Sequence, residues 1–279
     1  MILVVGGGRL AARMAQFSDL PVKVARHLDL NVCEARDVAE YLARAKKGGA
    51  HIVINCAAIT DVNQMEQHRL SGYAVNSIAP GFLAVACEAL NMRLLQVSTD
   101  YVFGGGATGP YRASDTPFPV QQYGLSKLRG EWASRLSDSS VVVRIGWLFG
   151  VEYPTSAPMM AATLDRPAIW DDITGNPTHV KAAAATILRI AWQMYDGTSL
   201  PPIIHVASGE DPLSWFDFCV TRFPNIKRGT SAVTNLSARR PRNGGLVASD
   251  EGLTISYGQM MDYFQSEVRE WQKTNTKTL

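Results

Sequence analysis

Short aliphatic runs alternate with longer stretches of helical spacing through the first half of the chain. Ile2–Val5, Val22–Ala25, His51–Asn55, Arg93–Ser98 and Val141–Ile145 are β-rich and almost wholly apolar, the pattern of strands buried on both faces. Between them Leu10–Phe17, Ala35–Ala45, Tyr73–Leu90 and Tyr123–Leu136 carry apolar residues at helical intervals. Strands that alternate with helices predict βαβ units and a parallel sheet covered on both sides. Past Gly150 the alternation weakens, broken by Pro154, Pro158, Pro167, Pro177, Pro201 and Pro202. The pattern there predicts a helix over Val180–Tyr195, a strand over Ile203–Val206, a helix over Ser214–Arg222 and a last helix over Tyr257–Lys273. The polar tail Gln272–Leu279 is expected to be disordered. The chain therefore divides into a larger lobe, 1–150, and a smaller lobe, 151–279, partly interleaved with the first.

Composition narrows the function classes. With 279 residues the chain can bury a large core. A formal net charge of +2 and the lack of any Lys/Arg block argue against a nucleic-acid binder; the densest basic cluster is only Arg239-Arg240-Pro241-Arg242. Cys33, Cys56, Cys87 and Cys219 are scattered, which fits a reducing compartment and neither a disulfide framework nor a zinc site. His51, His68, His179 and His205 show no ligand spacing, and Asp171-Asp172 reads as a solvated turn, so no metal is expected. The N-terminus lacks a basic region before its apolar strand, unlike a signal peptide. The longest apolar stretch, Ala182–Ala191, is too short to span a bilayer. The expectation is a cytoplasmic protein with no membrane partner.

The first strand runs into Gly6-Gly7-Gly8-Arg9-Leu10-Ala11. Read as G-x-G-x-x-A, this places Gly6, Gly8 and Ala11 where a dinucleotide fold needs a sharp turn, close pyrophosphate approach and tight helix–strand packing. Position after a strand and before a helix is the context that gives the motif weight over an ordinary Gly-rich turn. Gly6, Gly8, Arg9 and Leu10 are the expected cofactor contacts, and the fold class is α/β, a Rossmann-type doubly wound parallel sheet with a smaller C-terminal substrate lobe. At the end of the second strand, Arg26-His27 tilts the choice towards NADPH over NADH, although both are equally readable as solvated residues. Asp29 is expected near the adenine.

Tyr123-Gly-Leu-Ser-Lys127 follows the strand Arg93–Ser98 and the turn Thr99-Asp100. A Tyr and a Lys four apart share one helix face. An ammonium beside a phenol favours the phenolate, so the Tyr123 pKa is expected to fall from about 10. With a hydroxyl residue on the preceding strand, these parts describe a proton donor for a carbonyl, the companion of hydride transfer. Ser98, Thr99 and Asp100 are equally compatible with a capped turn.

Asn55-Cys-Ala-Ala-Ile-Thr60, Asn76, Ser98-Thr-Asp-Tyr-Val-Phe103, Pro110-Tyr-Arg-Ala-Ser-Asp115 and Tyr123–Lys127-Leu-Arg-Gly-Glu131 resemble the extended short-chain dehydrogenase/reductases. More narrowly they are similar to the dTDP-4-dehydrorhamnose reductase group. Arg144-Ile-Gly-Trp147, Gly175-Asn-Pro-Thr178, His205–Gly209 with Trp215, and Ala238–Asn243 continue the resemblance through the second half. The resemblance implies an NAD(P)H-dependent oxidoreductase acting on the 4-keto group of a nucleotide-linked 6-deoxy sugar, in deoxysugar biosynthesis. It implies that Thr99 bonds the sugar carbonyl, Tyr123 protonates the developing alkoxide and Lys127 binds the nicotinamide ribose. It places Cys56, Ala57, Ala58 and Ser98 along the cofactor, and Asp100, Trp147 and Arg240 towards the substrate, Arg240 at its diphosphate. A nucleotide sugar is the implied partner and a homodimer the implied assembly. The glycine turn is one residue shorter than the family's, and the segment 151–160 departs from it. Two other readings stay open: a non-catalytic NADP-binding regulatory subunit of the same family, and a nucleotide-sugar epimerase or dehydratase.

Overall fold

A computed structural model of the chain describes residues 1–18, 20–106, 109–153, 156–233, 237–249 and 255–275. The larger lobe opens with β1 (Ile2–Val5), α1 (Arg9–Phe17), β2 (Val22–Ala25), α2 (Ala35–Lys47) and β3 (Ile52–Asn55). After β3 come the short α3 (Val62–Gln67), then α4 (Arg69–Tyr73), which passes through a widened turn at Ala74–Ile78 into α5 (Ala79–Ala89). The chain continues with β4 (Arg93–Thr99), α6 (Gln122–Ser134) and β5 (Val141–Ile145). The smaller lobe is built from β6 (Leu148–Phe149), α7 (Ala157–Thr163), β7 (Ala168–Trp170), β8 (Thr174–Gly175) and β9 (Thr178–His179). It returns to the sheet through α8 (Val180–Asp196) and β10 (Ile203–Val206) and ends with β11 (Leu213–Ser214), α9 (Trp215–Val220), β12 (Lys227–Gly229) and α10 (Tyr257–Asn275).

The main sheet has the order β10-β5-β4-β3-β1-β2, with every pairing parallel. Its strands are buried on both faces, as their unbroken apolar runs require. Alternate residues divide between two cores: Ile2, Val4, Ile52 and Ile54 pack with α1 and α8, and Leu3, Val5 and Val53 with α2 and α5. A third core, around Phe149, Met159, Ile169, Phe218, Met261 and Phe264, holds the smaller lobe together. Strand order reverses between β2-β1 and β3, and a crevice at the carboxyl ends beside such a reversal is where open α/β sheets bind ligands.

Several elements differ from the sequence reading. α7 occupies part of the segment 151–160, where no helix is predicted, while residues 154–155 of that segment lie outside the described residues. Gln272–Asn275 is helical, a correction to the expected disordered tail, because α10 buries Met260, Met261, Phe264 and Val268 on one face and carries its last turns with it; residues 276–279 lie outside the described residues. The helical run Arg69–Ala89, not Ala182–Ala191, is the one described stretch long and apolar enough to cross a bilayer. Of its apolar window, 56% is buried inside the fold, so its hydropathy is that of a core helix.

One buried ion pair locks the site-bearing helix to the sheet. Arg144 on β5 is the largest fully buried side chain, and its guanidinium grips Glu131 of α6 in a bidentate fork, Nε to Oε1 at 2.9 Å and Nη2 to Oε2 at 2.7 Å. The Phe103 ring lies 5.1 Å below the guanidinium, and Ser98 at the end of β4 donates its hydroxyl to Glu131 Oε1 at 2.5 Å. His205 on β10 approaches the same guanidinium, and burial together with that cation lowers its pKa to about 4, keeping it neutral. Removing one partner of such a pair strands a buried charge. Glu131→Gln is expected to lower the unfolding free energy by about 3–5 kcal/mol, measured by urea denaturation.

Candidate active site

All the strand ends that could serve a dinucleotide open on one cavity of about 1020 Å³. Its wall takes Gly6, Gly8, Arg9 and Leu10 from the β1 turn and Arg26 with His27 from the end of β2. From the end of β3 come Cys56, Ala57 and Ala58, from β4 Ser98, Thr99 and Asp100, from α6 Tyr123 and Lys127, and from beyond β5 Trp147. The glycine turn is a functional shape. Gly6 has φ +115°, and a Cβ there would lie 2.7 Å from the Ala57 backbone nitrogen, so only glycine lets the turns after β1 and β3 close together. Gly8 then starts α1 with no side chain capping the helix. Its leading N–H groups and the nearby Arg9 and Arg26 suit a pyrophosphate. The donor set therefore fits an anionic dinucleotide.

Two expected contacts lie elsewhere. Asp29 is absent from the cavity wall: its Oδ2 accepts from the Arg26 backbone N–H at 2.9 Å and closes the turn that presents Arg26. Arg240 is also outside the wall. Its guanidinium donates to Ala238 O at 2.9 Å and Asn63 Oδ1 at 3.3 Å, fastening the segment 237–249 to α3. Residue type shows neither use: the Asp29 carboxylate closes its own local turn, and Arg240 reaches Asn63 of α3 from far along the chain.

Thr99, Tyr123 and Lys127 meet at the carboxyl end of β4. Gln121 caps α6 by accepting from the Gly124 N–H, and Gly124 itself touches the Tyr101 carbonyl so closely that no side chain fits there. This docks the first turn of α6, with Tyr123, against the turn after β4. The Tyr123 side chain lies beside Thr99 on the cavity wall, and its ring meets Tyr101 edge to face at 5.9 Å. Lys127, one turn on, donates to Val97 O at 2.7 Å. The structure corrects the expected fall in the Tyr123 pKa. Burial pushes it well above the usual phenol value, with the Asp100 charge next, and the neighbouring Thr99 hydroxyl only partly opposes them. Desolvation penalises the phenolate more than any neighbouring cation helps it. Burial likewise lowers Lys127 to about 8, against the pull of Glu131 and Cys56.

Two residues of the site stand outside the contacts expected from the sequence. Asn76, in the widened turn between α4 and α5, donates to Ile59 O at 2.9 Å and Ser126 Oγ at 3.0 Å and accepts from Ile59 N–H at 2.8 Å. It ties the loop after β3 to α6 and so holds the Ala57–Ala58 wall in register with Tyr123 and Lys127. Tyr153 lies in the segment that departs from the family pattern. Its ring sits under the Arg9 guanidinium at 4.9 Å, and it lines both the large cavity and a smaller one of about 210 Å³. That smaller cavity is walled by Tyr101, Trp147, Trp170 and Trp215, with Trp147 and Trp215 stacked at 4.6 Å. The remaining histidines have no metal-like grouping: among the described residues no cluster could hold a metal ion.

The parallel sheet, the glycine turn and the Tyr–Lys pair at the strand ends define a Rossmann-type protein of the extended short-chain dehydrogenase/reductase class. The family described as the RmlD substrate binding domain matches residues 1–276. The chain belongs to this family, that of the dTDP-4-dehydrorhamnose reductases. It is 32% identical over 212 residues to a dTDP-4-dehydrorhamnose reductase of Aggregatibacter actinomycetemcomitans, covering 70% of this chain and 72% of that one. It is 40% identical over 149 residues to the enzyme of that name from Mycobacterium tuberculosis, where the match spans 50% of this chain and about half, 49%, of the relative. A Bacillus anthracis dTDP-4-dehydrorhamnose reductase solved with NADP superposes with a TM-score of 0.85 at 23% identity, over 95% of this chain and 99% of that one. One from Clostridium acetobutylicum superposes at 0.83 and 25% identity, over 98% and 100%.

If Arg26 receives a 2′-phosphate, Arg26→Ala is expected to weaken NADPH binding by about 10- to 100-fold, the worth of a charge-assisted bond, and to leave NADH binding unchanged. Titration of nicotinamide fluorescence with both cofactors reads this directly.

Proposed function

We propose that the protein is a cytoplasmic NADPH-dependent reductase of the 4-keto group of a nucleotide-linked 6-deoxy sugar, working in deoxysugar biosynthesis. The observation that carries this reading is the convergence of Thr99, Tyr123 and Lys127 on the same cavity as the Gly6 turn. The matched relatives bear the name dTDP-4-dehydrorhamnose reductase. Arg26 and His27 at the end of β2, with the Asp29 carboxylate turned onto a backbone N–H, favour NADPH over NADH. Residues 1–150 form the cofactor lobe in this reading, and 151–279 the substrate lobe, which lends α8 and β10 to the sheet. A nucleotide sugar is the partner, with neither nucleic acid nor membrane. Exposed Ile78, Val85, Trp132 and Leu136 on α5, α6 and their ends supply an apolar face for a homodimer.

When bound, the nicotinamide supplies a hydride to the carbonyl carbon. Thr99 and Tyr123 hold the carbonyl oxygen between their hydroxyls. As the C=O π pair moves onto that oxygen, the Tyr123 O–H bond breaks and its proton completes the new alcohol. Because burial holds Tyr123 protonated across the neutral range, the acid is available without help from bulk solvent. Lys127 would hold the cofactor ribose, and its ammonium would offset the charge left on Tyr123. The stacked Trp147 and Trp215 and the neighbouring Tyr153 present flat apolar faces of the kind sugar rings and bases pack on.

The test is oxidation of NADPH and NADH, followed by absorbance, on adding freshly generated dTDP- or UDP-4-keto-6-deoxy sugars. Tyr123→Phe is expected to lose about 10²–10⁴-fold in kcat while still binding NADPH; equal turnover by the Phe variant, or none by the wild type, would reject the reading. A pH profile follows from Lys127. Its lowered pKa makes it cationic below about 8 and neutral above, so kcat/KM for NADPH is expected to fall as pH rises through that value. Lys127→Met should be low and flat over the same range.

A further inference from the structure

α1 carries two arginines one turn apart, and each is met by one of two successive residues of the smaller lobe. Arg9 lies with its guanidinium 4.9 Å over the Tyr153 ring, and Arg13 forms an ion pair with Glu152. Residues four apart share a helix face, so neighbouring side chains of one turn can reach both. That turn is tight: the Tyr153 N–H donates to Gly150 O at 3.0 Å, and the Ser156 N–H, just before α7, donates to Tyr153 O at 2.9 Å. Val151 packs into the core of the smaller lobe and Tyr153 against the core under α1 and α8, so the turn is anchored at both ends. A Cβ on Gly150 would lie 2.6 Å from Glu152 Oε2, so the carboxylate uses the room that a missing side chain leaves. Arg13 is held from a second side, since Glu267 of α10 lies 3.9 Å from its guanidinium and is itself gripped by Lys181 at 2.5 Å and His179 at 3.2 Å.

The two arginines differ in what they leave over. Arg13 is committed to carboxylates. Arg9 has no carboxylate partner among the described residues, and it opens the helix whose uncapped start lines the cavity. A guanidinium stacks through its face and bonds through its edge, so the Tyr153 ring steadies it without occupying its donors. Burial pushes Tyr153 up to about 12, against the pull of Arg9, so the ring meets the cation as a neutral phenol. Among the described residues of 151–160, Tyr153 alone reaches the wall of the large cavity. We propose that Glu152 and Tyr153 form a clasp that holds Arg9 ready for the pyrophosphate of the dinucleotide. Tyr153 is then a positioning residue of the phosphate site, and the Arg13–Glu152 pair sets where its ring stands. The proposal rests on the NADPH reading of the cavity. It gives the shortened glycine turn a counterpart, a side-chain cation steadied from the smaller lobe that supplements the backbone N–H groups. Tyr153 also walls the smaller aromatic cavity, so the cofactor side and the substrate side share this ring.

The experiment measures NADPH affinity of the full-length protein by nicotinamide fluorescence, in a double-mutant cycle. Tyr153→Leu is expected to weaken NADPH binding about 10-fold, the worth of a partly desolvated cation–π contact, and Tyr153→Phe, which keeps the ring, to restore most of that loss. Because Tyr153 acts through Arg9, Tyr153→Leu should cost nothing further in an Arg9→Met background, whereas a merely structural role would weaken both backgrounds alike. Glu152→Gln should follow Tyr153→Leu in direction. Arg9→Lys keeps the charge but loses the planar stack, and should also weaken binding about 10-fold. Arg9 is exposed, so this arm stands even if Tyr153→Leu fails to fold. Equal losses from Tyr153→Leu in the two backgrounds, or an Arg9→Lys protein with wild-type affinity, would overturn the clasp and leave the NADPH reading intact. Wild-type protein that binds no NADPH would overturn both. Where the cycle behaves as expected but no 4-keto sugar is turned over, the clasp stands and the reductase reading fails.

Discussion

The Glu131–Arg144 fork is the constraint on which the site depends. Neither ion could lie so deep alone, and the bidentate geometry together with Ser98 and Phe103 is what compensates their desolvation. Its consequence is mechanical. Arg144 belongs to β5, Ser98 to β4 and Glu131 to α6, so a single network fixes the helix against two adjacent strands. Lys127 lies one helical turn before Glu131 and Tyr123 one turn before that. Once Glu131 is anchored, both side chains are aimed at the end of β4 without further adjustment.

A second constraint is dehydration. The turn after β4 is closed by Gly124 against Tyr101 on one side and by the segment around Gly244 on the other. Inside that enclosure carboxyl and phenol both resist ionisation and the ammonium gives up its proton more easily, all in the direction desolvation dictates. Carboxyl and ammonium are thereby brought towards one another in proton affinity, while the phenol is carried above both and stays protonated. The smaller lobe contributes chiefly by covering: its aromatic wall and the strap 237–249, held to α3 through Arg240 and Asn63, keep water from the strand ends.

Much of the fold was legible because it follows from periodicity. Strands buried on both faces must be apolar throughout, and the helices over them must carry stripes, so β1 to β5 and their covering helices could be read within a residue or two, save the helix before β4, which starts at Arg69 and not at Tyr73. The glycine turn was legible because a positive φ at Gly6 and a backbone contact with Ala57 leave no other residue type. Asp29 and Arg240 were not, since a carboxylate that closes its own turn and a guanidinium that bonds a distant loop look the same in sequence as ligand contacts. α7 was hidden by the prolines around it; Asn76 stood out in the sequence, but its bonds to Ile59 and Ser126 follow only from the packing of the loop after β3 against α6.

The sequence by itself determined the order of strands and helices, the dinucleotide turn and the presence of Thr99, Tyr123 and Lys127, because each depends on local spacing and residue type. Only the tertiary structure decided their chemistry. The same Tyr–Lys spacing that suggests a lowered phenol pKa in water gives a raised one here, since the burial of Tyr123, the turn of Lys127 onto Val97 and the approach of Asp100 are set by residues far apart in the chain. Spacing fixes which groups can meet; packing fixes how much water they keep, and that governs where their protons reside.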